Sequence, residues 1–315
     1  MDMIRMTGGL GNQMFQYALY LKLKSLGRDV KMDDKTQYER ENPRPIMLWC
    51  FGIFYPQASA EEIEGLTDGS LAFFHRVKRK IFGRKSLEYH EETWNYDPQV
   101  LEKTPVYLTG YFQSEKYFQD IEEQVRQSFQ FSEKIWEGLD DDLENRVRGY
   151  RKKIEDSLAV SVHIRRGDYL DNEEAYGNIC TEKYYQKAIE LVRKRYPEAV
   201  FYFFSNEPAW VKKWVERVYT KELPFEIIEG TGEEYGYLDL FLMSRCNHHI
   251  IANSSFSWWG AWLSLGQPGT GKKMVIAPSK WHNRQDYRDI YTGDMIKITP
   301  KGQVLGDVAE ETLGI

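Results

Sequence analysis

The chain has 315 residues, enough for two domains that each bury a core of their own. Its net charge of −6 argues against a nucleic-acid binder, whose footprint is a basic patch. Cys50, Cys180 and Cys246 are odd in number and show no CxxC spacing, which argues against a disulfide framework or a zinc site, and no apolar run reaches the roughly 18 residues of a membrane span.

In chain order, Ile4-Arg5-Met6-Thr7 reads as a first strand and Gly8-Gly9-Leu10-Gly11 as a turn that needs permissive backbone. Asn12 is expected to cap a helix running through Met14, Tyr17, Leu21 and Leu23 and ending at Gly27. Asp29-Val30-Lys31-Met32 starts a second strand. Helices and long loops are expected between Lys35 and Lys103, where a basic cluster runs from His75 through Lys80 to Arg84-Lys85. That cluster is a solvated helix face or, alternatively, a contact with anionic lipid head groups or a lipid-linked diphosphate. Val106-Tyr107-Leu108-Thr109 reads as another strand. A charged helical stretch, Ser132 to Asp156, is the expected seam, so the domains are drawn as 1–150 and 151–315.

The second half alternates. Strands are expected at Leu158–Ile164, Val200–Phe204, Phe225–Ile228, His249–Ala252 and Met274–Ala277. Between them lie helices at Thr181–Tyr196, from about Asn206 with Pro208 in the first turn, at Tyr237–Ser244 and at Phe256–Leu265. The fold class is therefore α/β, a doubly wound parallel sheet.

Ligands of such sheets bind outside the carboxyl ends of the strands. Four polar clusters follow strand ends here: His163 to Tyr169, Ser205-Asn206-Glu207, Glu229 to Glu234, and Asn253-Ser254-Ser255-Phe256-Ser257. Arg165 and Arg166 offer rigid, permanently charged forks that match phosphate oxygens, and Asn253-Ser254-Ser255 stands before a helix whose free N–H groups suit an anion. The alternative for the arginine pair is a salt bridge to Asp168 or the acidic loop. Asp239 opens a helix, where it either favours the dipole or accepts from the N1–H and N2–H donors of a guanine. His163, His248 and His249 read as structural histidines, and Trp258, Trp259 and Trp262 as core at helical spacing. Asp140-Asp141-Asp142 formally matches an Asp-x-Asp metal loop but reads as a solvated charge run, so no metal and no cofactor are expected.

Gly8-Gly9-Leu10-Gly11-Asn12-Gln13-Met14-Phe15-Gln16-Tyr17-Ala18, Gly110 to Phe118, the HxRRGDY run at His163 to Tyr169, and Ile251 to Ala261 together resemble glycosyltransferase family 11, the bacterial-type α-1,2-fucosyltransferases. The resemblance spans nearly the whole chain in order. It implies two Rossmann-like domains in the GT-B arrangement, the first on the acceptor side and the second binding GDP-fucose. It implies inverting, metal-independent transfer from GDP-β-L-fucose to a 2-hydroxyl, with a terminal β-galactose glycan, free or lipid-linked, as acceptor. Arg165 with Arg166 would hold the diphosphate, Ser254 and Ser255 beside Asn253 would meet phosphate, and His163 and Asp239 would lie at the guanosine end. Asn12, with Gly9 and Gly11, would face the fucose and diphosphate from the first domain. Asp168 and Glu173 are the candidates for a base. The expected location is the cytoplasm, with peripheral contact at the inner face of the membrane as an addition. The alternatives are an NAD-dependent oxidoreductase, on Gly9-x-Gly11-x-x-Met14 with Asp33, and a sugar-binding protein without activity, on the aromatics.

Overall fold

The computed structural model describes residues 1–37, 44–70, 80–81, 83–167, 172–219, 222–266 and 271–306. Asp168, Tyr169 and the basic cluster from His75 to Arg79 lie outside these residues. The chain forms two compact units, one of Met1–Ser132 with Arg288–Ile290, the other of Glu133–Tyr287 with the chain from Tyr291 on.

The first unit contains β1 (Asp2–Arg5), α1 (Leu10–Ser25), β2 (Val30–Asp33), α2 (Ala60–Thr67), β3 (Glu88–His90), α3 (Gln99–Glu102), β4 (Tyr107–Thr109) and α4 (Glu122–Ser128). Its sheet has the order β2-β1-β4-β3, with every neighbour parallel. Ile4 is in register with Met32 on one side and Leu108 on the other, and all three are fully buried. A parallel strand covered on both faces requires this apolar character. β1 starts and stops earlier than its hydrophobic run suggests, because Thr7 N–H leaves the ladder for Gln16 Oε1 at 3.0 Å. Asn12 does not cap α1: the cap is Gly9, and Asn12 lies in the first turn, its N–H donating to Gly9 O at 2.9 Å. Gly8, at φ +78°, turns the chain into that start, while Gly27, at φ +76°, closes the helix as expected.

The second unit contains α5 (Asp141–Glu155), β5 (Ala159–Ile164), α6 (Glu173–Tyr176), α7 (Glu182–Arg195), β6 (Val200–Ser205), α8 (Pro208–Tyr219), β7 (Phe225–Ile227), α9 (Gly236–Met243), β8 (His248–Ile250), α10 (Ser255–Leu263), β9 (Val275–Pro278), β10 (Met295–Ile298) and β11 (Val304–Leu305). Its sheet has the order β11-β10-β9-β8-β5-β6-β7, parallel except where β11 turns back on β10. Thr181 caps α7, its hydroxyl accepting from Tyr184 N–H. Trp214, Trp258 and Trp259 are fully buried or nearly so, which makes them core. Burying each large apolar side chain contributes roughly 1.5–3 kcal/mol.

The boundary between units falls at Ser132 and Glu133, before the seam helix rather than after residue 150. The reason is packing. α5 buries Leu143, Val147, Tyr150 and Ile154. Its Arg146 guanidinium stands where a Cβ on Gly230 would come within 2.8 Å, and its Arg151 lies over the Phe241 ring. No helix among the described residues is long and apolar enough to cross a membrane.

Candidate functional site

In the second unit the chain winds outward from β5 to β6 and β7, then returns to β8 and winds the other way through β9 and β10. β5 and β8 are therefore neighbours whose following loops depart in opposite directions. Such a switch point leaves a crevice at the carboxyl ends of the two strands. The loop after β5 carries Arg165, Arg166 and Gly167; the loop after β8 carries Asn253 and Ser254. The arginines and the serine-bearing helix start thus leave the sheet from adjacent strands.

The two arginines differ. Arg166 is held: its Nε donates to Glu207 Oε2 at 3.1 Å, and its guanidinium lies 3.8 Å from the Trp210 ring centroid. The loop itself is clasped by the same partners. Arg166 N–H donates to Asn206 Oδ1, and Gly167 N–H to Glu207 Oε1, both at 3.0 Å. Gly167 sits at φ +57°, and a Cβ there would lie 2.4 Å from Asn206 Nδ2, so this turn admits only glycine. The pairing of Arg166 is thus with Glu207 rather than with the acidic loop after β7. Glu207 and Trp210 were not marked individually in the sequence, because a cation over an aromatic ring and a carboxylate from the next strand have no local spacing.

His163 ends β5 with its ring 5.8 Å from that of Phe256, in the first turn of α10. Burial, reinforced by the Arg165 charge, pushes it down to about 3, so it is neutral. Its Nδ1 is buried without a hydrogen-bond partner. Asp239, in the first turn of α9, has a buried Oδ1 that also lacks a partner. Burial pushes its carboxyl up to about 7, against the opposing hydrogen bond from Thr231. A buried carboxylate oxygen without a donor is costly unless a ligand supplies one.

Ser254 is the N-cap residue of α10 and is buried, yet its hydroxyl makes no cap hydrogen bond. That leaves a helix start suited to an anion. Asn253 braces the loop instead of pointing to a ligand: its Nδ2 donates to Trp281 O at 3.0 Å, and its Oδ1 accepts from Cys180 Sγ at 3.4 Å. Trp281 opens a fifth polar loop on this rim, after β9, in which His282 Nδ1 accepts from the N–H groups of Arg284 and Gln285. Glu173 lies on α6 and is exposed.

In the first unit, the side chains of Asn12, Gln13 and Gln16 knit three loops together. Asn12 Oδ1 accepts from Gln113 Nε2 at 2.7 Å, and Gln16 Nε2 donates to Gly110 O at 2.8 Å. Gln13 Nε2 donates to Gly8 O and to Pro45 O, each at 3.0 Å. A Cβ on Gly9 would come within 3.1 Å of the Arg44 side chain, so Gly9 is where another chain segment presses on the turn; Gly11 is buried inside α1.

Asp140 Oδ1 accepts from Leu143 N–H at 2.8 Å and so caps α5. The Asp140-Asp141-Asp142 run is accounted for as a helix start.

The sequence model of Glycosyl transferase family 11 matches residues 88–298. The chain belongs to this family. An alpha-1,2-colitosyltransferase of Escherichia coli is 31% identical over 90% of this chain and 92% of its own length. The galactoside alpha-(1,2)-fucosyltransferase 1 of Rattus norvegicus is 26% identical over 82% of the chain, which spans 62% of that longer protein. Among solved structures, a mutant of Arabidopsis thaliana FUT1 in complex with GDP aligns with a TM-score of 0.51 at 12% identity, over 90% of this chain and 72% of that one. That likeness shows the fold, and the two parallel α/β units are those of the GT-B class. This family 11 chain is thus a glycosyltransferase.

Proposed function

We propose that this enzyme transfers L-fucose, with inversion, from GDP-β-L-fucose to the 2-hydroxyl of a glycan ending in β-galactose. The observation that carries the donor half is the switch point between β5 and β8. There the loop carrying Arg165 and a helix start without a side-chain cap follow adjacent strands, and His163 Nδ1 and Asp239 Oδ1, from β5 and from the helix after β7, are buried polar atoms without hydrogen-bond partners among the described residues. A guanosine diphosphate matches this inventory. Its phosphates suit the guanidinium and the helix N–H groups, and its guanine N1–H and N2–H suit a carboxylate.

In the reaction, the acceptor oxygen forms a bond to the fucose anomeric carbon as the bond from that carbon to the β-phosphate oxygen breaks. The electron pair leaves on GDP, and the hydroxyl proton passes to a base or to water. Arg165 and the α10 N–H groups stabilise the charge that develops on the leaving diphosphate, which is why we assign no metal to this step. In the first unit, Asn12 is fixed by Gln113 beside the Gly8–Gly11 turn. The acceptor assignment is supported by the galactoside in the name of the rat relative. The colitosyltransferase relative supports a second donor, GDP-colitose, whose sugar is fucose without its 3-hydroxyl.

The test is transfer from GDP-fucose and from GDP-colitose to a panel of β-galactosides, with linkage analysis of the products, alongside calorimetry with GDP and NAD. Product with an α-1,2 linkage and GDP binding without NAD binding are expected. NAD binding without GDP binding would move the assignment to an oxidoreductase, and sugar binding without either nucleotide to a lectin.

A further inference from the structure

Trp94 and Tyr111 are half-buried and stack on each other. Their ring centroids are 5.3 Å apart and their planes within 24°. Trp94 follows β3 and Tyr111 follows β4, neighbouring parallel strands, so both stand at the carboxyl edge of the first unit's sheet. That edge also bears the Gly8–Gly11 turn after β1, which Gln16 and Asn12 tie to Gly110 and Gln113.

The backbone beneath the pair is arranged at a cost. Phe112 holds φ +53°, a left-handed conformation unfavourable for a bulky residue. Its ring is fully buried, so the turn drives Phe112 inward. A half-buried carboxylate fixes this shape: Glu91 accepts from Tyr111 N–H at 2.7 Å and from Phe112 N–H at 3.1 Å. A Cβ on Gly110 would lie 2.5 Å from Glu91 Cβ, so the clasp leaves no room for a side chain there. Beyond Trp94, Asn95 Oδ1 accepts from Asp289 N–H at 3.1 Å, and Tyr96 N–H donates to Asp289 Oδ2 at 3.0 Å. The backbone at Tyr111 and the chain just after Trp94 are therefore held in place.

Strained backbone that presents a stacked aromatic pair at a strand edge has the form of a binding platform. We infer that Trp94 and Tyr111 form the acceptor-sugar platform, taking the apolar face of a galactose-configured pyranose. In that sugar the axial 4-hydroxyl leaves the C3, C4 and C5 hydrogens on one side, a flat apolar patch of the size of one ring. This inference rests on the proposed galactoside acceptor and names the side chains that recognise it.

The experiment measures binding of methyl β-D-galactopyranoside to the full chain by saturation-transfer NMR, with steady-state kinetics for transfer in parallel. In the wild type, saturation is expected at H3, H4 and H5 of the sugar. Trp94→Ala should weaken sugar binding and raise the acceptor KM at least tenfold, with kcat and the KM for GDP-fucose within about twofold of wild type. Trp94→Phe, which keeps a flat ring, should restore most of both. Unchanged sugar affinity in Trp94→Ala overturns the platform. So does a loss accompanied by lower GDP affinity or not recovered by Trp94→Phe, because that pattern belongs to a structural role. If the wild type binds the galactoside through Trp94 yet transfers nothing from GDP-fucose, the platform stands and the transferase reading falls.

Discussion

Arg165 and Arg166 are adjacent in sequence but do different work. Arg166 is neutralised by Glu207 and covered by Trp210, so its loss removes the side-chain part of the clasp and leaves the backbone bonds to Asn206 and Glu207. Arg165→Ala should lower kcat by roughly 100- to 1,000-fold, the usual loss of one charged donor to a leaving group, while the melting temperature holds. Arg166→Ala should lower the melting temperature more than Arg165→Ala does. Transfer assays and thermal melts on both variants check this, and near-normal turnover in a folded Arg165→Ala protein would remove the residue from the mechanism. Asp239 makes a pH prediction. Its carboxyl is raised to about 7 in the folded chain, so the folded state holds the proton more tightly than the unfolded state does. The stability this group contributes is full below about pH 4 and is lost as pH rises through about 7. Asp239→Asn should therefore gain stability relative to wild type between pH 4 and pH 8, by up to about 4 kcal/mol. The same carboxylate must be ionised to accept from guanine, so GDP affinity should rise with pH through about 7 and binding should release protons below it. Calorimetry in two buffers of different ionisation heat measures both, and a flat affinity without proton release would separate Asp239 from the nucleotide.

At the scale of elements, the alternation of strands and helices in the second half was legible because β5, β6 and β9 are largely apolar runs buried on both faces, whereas β10 and β11, half-buried and with Lys297 inside β10, carry too little apolar signal to be read. The rim loops followed from it, since they are simply what comes after each run. The first unit was less legible. β3 is three residues long and only half-buried, so Glu88-Tyr89-His90 carries no period, and the Glu91 clasp on Tyr111 and Phe112 joins residues twenty apart. The start of α1 was misplaced because Asn is a good cap by type, whereas the turn at Gly8 and Gly9 sets the helix three residues earlier. The seam helix was read correctly as a helix but placed in the wrong unit, because its charged face says nothing about which core its apolar stripe enters. Its cap gives a clean test of the Asp140-Asp141-Asp142 run. Asp140→Ala should cost about 1 kcal/mol in denaturant unfolding, the ordinary value of a lost N-cap, and leave transfer unchanged. A loss of activity with stability intact would return the run to the list of functional sites.

At the scale of the whole molecule, the second unit holds the proposed donor site complete on its own sheet, at the one place where its winding reverses. Nucleotide binding there is linked to folding, because GDP meets these groups only when β5, β8, α9 and α10 are assembled. A ligand that binds only the folded state stabilises it by RT ln(1 + [L]/Kd), about 2.7 kcal/mol at a hundredfold excess over Kd. For a domain of this size that corresponds to a rise of several degrees in melting temperature. GDP should produce this shift, GMP much less of it, because the groups argued to hold the diphosphate, Arg165 and the α10 start, would be only partly engaged. The shift and the transfer rate should both persist in excess EDTA, since guanidinium and helix N–H groups are assigned the charge that a divalent cation carries in metal-dependent transferases. A thermal-shift titration with GDP and GMP, with and without EDTA, and an activity assay in EDTA decide the matter. If EDTA abolishes transfer and manganese restores it while Arg165→Ala has no effect, the diphosphate is neutralised by an ion, and the switch-point crevice is not where its charge is met.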